Sequence, residues 1–128
     1  MFGWLKKLMP ARRPPPEALW TVTIADQVVE VTDDRGKRKS IALPALGGVT
    51  IETNDSGPWG MDVWWMLFDL DHRLACAFPL GATGEQPVVA ELTALKGFDH
   101  AEMLRAMGST ANAMFLLWKR NDVPEAGA

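Results

Sequence analysis

Over most of the stretch from Leu19 to Phe78 the apolar side chains of this 128-residue chain recur at every second position, and between Gly81 and Gly108 they recur at every third or fourth. A period of two sends alternate side chains to opposite faces of a strand, whereas a period near 3.6 gathers them on one stripe of a helix. The chain therefore has to build sheet first and helix afterwards. Trp20, Val22 and Ile24 alternate with Thr21 and Thr23, and Val29 and Val31 alternate with Glu30 and Thr32. Asp26-Gln27 and Asp33-Asp34-Arg35-Gly36 follow these runs as hairpin turns, Gly36 supplying a positive φ. Lys37 to Leu43 makes a third strand whose charged start suits a sheet edge, and Pro44, which has no amide proton to give a ladder, ends it. Val49, Ile51 and Thr53 mark a fourth strand after Gly47-Gly48. Val63 to Phe68 is apolar at every position, which places it at the centre of a sheet. Asp71-His72 turns the chain into a sixth strand carrying Leu74, Cys76 and Phe78 and closed by Pro79.

Beyond Gly81, Val88, Leu92 and Leu95 share one helical face, with Pro87 in the first turn and Gly97 as the stop. Phe98 is placed to fold back on that helix end. Asp99 and Glu102 have capping-box spacing for a second helix, in which Ala101, Leu104, Ala106 and Met107 form the apolar side before Gly108. Met114 to Trp118 is too short and too densely apolar for a third helix and reads as a returning strand. The fold class expected is α+β: a mostly antiparallel six- to seven-stranded meander sheet with two short helices before a final strand, the helices covering one sheet face.

Stability has to come from the core. Cys76 is the only cysteine, so no internal disulfide forms, and no Cys/His cluster has zinc spacing. Six Trp, five Phe and seven Met supply large apolar area, worth about 25 cal/mol per Å² removed from water. Thirteen Lys and Arg against sixteen Asp and Glu give a net charge of −3, which provides no global basic footprint for nucleic acid.

That charge is unevenly placed. Residues 1–13 hold Lys6, Lys7, Arg12 and Arg13 and no acid, a charge of +4, so the remaining chain, with nine basic and sixteen acidic side chains, carries −7. Phe2, Trp4, Leu5, Leu8 and Met9 fall near helical spacing, the pattern of a short helix on an anionic membrane surface, with Phe2, Trp4, Lys6, Lys7, Arg12 and Arg13 as contact residues. Pro14, Pro15 and Pro16 make a stiff spacer. The organisation expected is a basic amphipathic tail and proline spacer over 1–16, one domain over 17–121 and a flexible C-terminus over 122–128. Neither a signal-peptide run nor a span of about 18 apolar residues is present, which points to a cytoplasmic protein peripheral at most to the inner membrane.

Candidate chemistry is sparse. Asp69, Asp71 and His72 bring a carboxylate and an imidazole together, as general acid-base work requires, but a hairpin turn selects Asp for its own reasons and no nucleophile or oxyanion loop accompanies them. Cys76 lies among inward residues as a small hydrophobe. Asp99-His100 is explained by helix capping without a metal. No phosphate loop, GxSxG, HExxH or dinucleotide glycine pattern occurs, and no cofactor is expected. The segment from Asn54 to Asp62 gathers Asn54, Asp55, Asp62, glycines, a proline and Trp59 into a loop between strands, a composition that suits a partner anchor.

The string from Ile51 to Pro58, then Asp62-Val63-Trp64-Trp65, Pro79-Leu80-Gly81-Ala82, Leu95-Lys96-Gly97-Phe98-Asp99 and the run from Ala106 to Trp118 resemble a family of small uncharacterised bacterial proteins over about residues 19–120. The resemblance implies one intact domain in a bacterial cytoplasm and carries over no catalytic residue. A looser similarity links the strand-rich meander to bacterial pleckstrin-homology-like modules, which finish in a helix where this chain is expected to finish in a strand. The function expected is a non-enzymatic protein-interaction domain, with Asn54, Asp55, Trp59 and Asp62 meeting a protein partner and no nucleic acid. The alternatives are a peripheral membrane module tethered by its tail and a small hydrolase or transferase using Asp71 and His72, and a homo-oligomer is compatible with each.

Overall fold

The structure is a computed structural model that describes residues 16–57 and 60–121. The described residues form seven strands, β1 (Thr21–Ala25), β2 (Val28–Thr32), β3 (Arg38–Ala42), β4 (Leu46–Gly57), β5 (Gly60–Asp69), β6 (Leu74–Pro79) and β7 (Ala113–Lys119), and two helices between β6 and β7, α1 (Glu85–Thr93) and α2 (His100–Met107). The α+β class holds, with antiparallel pairing in every ladder. The single meander does not: β1-β2-β3 forms one sheet and β6-β5-β4-β7 another. The break falls after β3, where Pro44 sits in a 3-10 turn over Leu43–Ala45 and turns the chain away before it pairs again. Arg120 pins this corner, its Nε donating to the Leu46 carbonyl at 2.8 Å and its Nη2 to that of Leu43 at 3.0 Å.

The two sheets close on a shared core. Val22, Val29, Val31 and Ile41 come from the three-stranded sheet and Val49, Ile51, Trp65, Leu67 and Phe78 from the other, all buried with Val88 and Leu92 of α1. Trp65 stacks on Phe78 with ring centres 6.2 Å apart. The segment before α1 ties the sheets together: the Val22 amide donates to the Thr83 carbonyl at 2.9 Å and the Thr83 amide to that of Trp20 at 2.8 Å. Gly84 follows at φ 85, and a Cβ there would lie 2.4 Å from the Val22 carbonyl oxygen, so only glycine fits.

Turn chemistry follows the sequence. Asp26 and Gln27 both take positive φ, as a two-residue hairpin demands. Two further hairpins share one turn. Asp33 Oδ1 accepts from the amides of Arg35 and Lys37, and Asp69 Oδ1 from those of Asp71 and Arg73, at 2.8–3.0 Å; the left-handed position is Gly36 in the first and His72, at φ 63, in the second. The two donated amides hold the exposed Asp33 carboxyl below its usual range.

The helices depart from expectation in detail. Asp99 caps α2, accepting from the Glu102 amide at 2.9 Å, but the capping box is only half formed: the Asp99 amide bonds to the Leu117 carbonyl, and the Glu102 carboxylate pairs with Arg105 at 2.7 Å. α1 ends at Thr93, and Gly97 serves the turn beyond it at φ 89. The apolar side expected for α2 is corrected too. Ala106 is buried and Met103 packs against the core, while Leu104 is 67% exposed and Ala101 and Met107 face outward.

Candidate functional site

The segment expected to be a loop from Asn54 to Asp62 is mostly ladder. β4 continues to Gly57 and β5 begins at Gly60, with Asn54 opposite Asp62, then a register shift, and Gly57 opposite Gly60. Strand propensity is low here, yet the hairpin extends because its base is fixed from the side: Thr53 is buried and donates from Oγ1 to the Ala111 carbonyl at 2.7 Å, and the Asp55 amide donates to Asn112 Oδ1 at 2.9 Å. The ladder and the residues before β7 therefore fix the expected site residues. Asn54 and Asp62 come together across the ladder, and Asp55 is exposed beside them. Trp59, and with it Phe2, Trp4, Lys6, Lys7, Arg12 and Arg13, lies outside the described residues.

Pairing register shows which face Asn54 and Asp62 occupy. Residues directly opposite one another in neighbouring strands share a face, and the next residue along lies on the other. The row Phe115, Ile51, Trp65 and Phe78 points into the core. The adjoining rows, Met114, Glu52 and Trp64, then Leu116, Thr50, Met66 and Ala77, must then point away from it. Among the described residues that outer face is largely apolar and is open along β7. Met114 is 55% and Leu116 56% exposed, and Trp64, Met66 and Phe68 are half-buried. Trp20 meets its margin, edge-on to Trp64 at 5.1 Å.

The outer face of a sheet with one solvated side normally alternates to polar residues. Here the apolar run from Val63 to Phe68 does sit in an interior strand, as its composition requires, but α2 packs against β7 from the core side, and among the described residues no helix covers the opposite face. Sequence reasoning missed this surface. Its signal was present in Met114 and Leu116, which alternate with Phe115 and Leu117 and so put apolar residues on both sides of an edge strand.

The other candidates have structural roles. Asp69 is committed to its turn, and Asp71 and His72 are exposed on it. His100 lies at the α2 start with its ring 5.0 Å from Phe98. Cys76 is buried, and loss of solvation pushes its thiol up to about 12, which suppresses the nucleophilic thiolate. Among the described residues, no group of three or more His, Cys, Asp and Glu is placed to hold a metal ion, and no helix is long and apolar enough to cross a membrane. No protein-family model, curated protein or solved structure matches this chain.

Proposed function

We propose that this chain is a non-enzymatic protein-interaction domain and that it binds through the outer face of its four-stranded sheet. The observation carrying this reading is the open apolar surface of Met114, Leu116, Met66, Trp64 and Phe68 on a rigid ladder. Exposed apolar side chains scattered singly need no explanation, but a contiguous set rimmed by polar groups marks a contact surface. Asn54 and Asp62 form the polar end of that surface on the hairpin, next to the exposed Asp55. They act as rim rather than anchor, and the aromatic and thioether side chains supply the buried centre that partner recognition uses.

Photo-crosslinking inside the native host tests the reading. A photoreactive residue at Met114 should give discrete protein adducts that a Leu116→Lys substitution removes, and the same group at Asp34, in the far sheet's turn, should give none of them. Identical adducts from both positions, or none from Met114, would overturn it.

A further inference from the structure

We propose that the cavity between the free edges of the two sheets binds a small carboxylate with an apolar body, a single ring or a short alkyl chain, whose anionic group lies between Lys37 and Lys39. The site is separate from the outer sheet face and goes beyond the reading given for that face.

The cavity arises from the way the sheets close. β3 ends one sheet and β6 ends the other, and the two strands approach each other without forming a ladder. A cavity of about 110 Å³ is left there, walled by Trp20 and Val31 on one side and by Leu74, Cys76 and Ala77 on the other. That is close to the roughly 150 Å³ that accommodates a benzene ring in an apolar interior. Leu74, Lys37 and Lys39 are exposed, so the mouth opens between them.

Register sets the charge of this mouth. Val22, Val31 and Lys39 lie opposite one another in successive strands, and the two valines are buried in the core, so Lys39 stands on the core-facing row of an edge strand. Lys37, two residues earlier, follows on the same side, its carbonyl accepting from the Asp33 amide at 2.9 Å. Both lysines line the cavity, and among the described residues neither is in an ion pair. Burial pushes the Cys76 thiol up and the Lys39 ammonium draws it partly back, as a cation held near that wall does. Asp33 is the acid of the lining; its Oδ1 is taken by the amides of Arg35 and Lys37, and two lysines against one aspartate leave the lining at +1. A mostly apolar cavity with a few placed polar groups is the usual composition of a ligand site, and a carboxylate between two ammonium groups gains charge-assisted hydrogen bonds.

The free edge of β6 decides the size of the occupant. The Leu80 amide donates to the Val63 carbonyl at 2.8 Å, so by alternation Phe78 and Cys76 also bond toward β5, and Ala77 turns its amide and carbonyl to the open edge. On either side of it, Pro79 has no amide proton and Ala75 falls in the register shift. One residue is too short a ladder for an added strand, which selects a small molecule over an extended peptide, and the Ala77 amide is one more donor at the rim.

The test titrates the full chain with phenylacetate, and with acetate and 2-phenylethanol as its charged and apolar halves, following amide and methyl resonances by NMR. Phenylacetate should give saturable shifts at the Ala77 amide and the Val31 methyls, with a Kd at least about tenfold lower than either half, the ratio expected of one charge-assisted contact. Lys37→Gln/Lys39→Gln should weaken phenylacetate by about the same factor and leave 2-phenylethanol unchanged. Equal affinities for phenylacetate and 2-phenylethanol, an unchanged Kd in the double variant, or no saturable shift at Val31 and Ala77 would each overturn the proposal. The Met114 photo-adducts report on the other face, so the two readings stand or fall separately.

Discussion

Trp64 and Trp65 are neighbours in sequence on opposite sides of one strand, and comparing their truncation measures the face assignment directly. Trp65 is fully buried, paired with Ile51 and Phe78 and stacked on the latter at 6.2 Å. Its replacement by Ala removes the whole indole from a packed interior, for which large-to-small changes of this type cost about 3–5 kcal/mol. Trp65 Nε1 is buried without a hydrogen-bond partner among the described residues, so no bond is lost with the ring and the cost belongs at the lower end of that range. Trp64 is half-buried, and its main aromatic partner is Trp20, edge-on at 5.1 Å. An edge-to-face pair contributes about 0.5–1.5 kcal/mol beyond its burial, so Trp64→Ala should cost about 1–2 kcal/mol. Urea unfolding followed by far-ultraviolet circular dichroism, which does not depend on the removed fluorophore, gives both values against a total of about 5–15 kcal/mol for a domain. Trp65→Ala should be at least 1 kcal/mol the worse. Equal costs, or a larger one at Trp64, would refute the register on which the outer face depends.

Thr50→Val should raise stability by about 1 kcal/mol, read from the urea midpoint, because the Thr50 hydroxyl is buried without a partner among the described residues; a loss would mean that it is satisfied. Asp99→Ala should cost about 1 kcal/mol by removing the α2 cap, measured the same way. His72→Gly should leave the melting temperature unchanged or raised, since glycine relieves the left-handed backbone as Gly36 does in the matching turn. Cys76 carries a pH signature. Its thiol is raised from 9.0 to about 12, so the unfolded chain releases this proton first as pH rises. The stability contributed by the protonated thiol is whole below about pH 9 and is lost between about 9 and 12, at up to about 1.4 kcal/mol per pH unit. Denaturation titrations of parent and Cys76→Ala should diverge in that window; superimposed curves would contradict the burial.

Much of the fold was legible because strand and helix periods are local. Val22, Val29 and Val31 alternate inward as their spacing demands, Gly36 turns where φ must be positive, and Asp99 caps the helix that follows it. The division into two sheets was not legible. Whether β4 pairs with β3 or with β7 depends on a corner held by Arg120, 77 positions from Leu43, and no local pattern records that bond. The hairpin at Asn54 shows the same limit. Its polar, glycine-rich composition reads as loop, and the strand persists because Thr53 and Asp55 are held by residues near 111 and 112. The candidate surface was half legible: an apolar strand with two apolar faces was visible in Val63 to Phe68, but which face would stay open depends on which side α2 takes.

The central claim is that the outer face serves binding and not the fold. Both quantities can be read on one protein, the Met114→Lys/Leu116→Lys chain. Its melting temperature should stay within about 3 °C of the parent, because two side chains more than half exposed contribute little packing, while adducts from a photoreactive residue at Met66 on the same face should disappear. A chain that loses its folded state yet keeps those adducts would contradict the account.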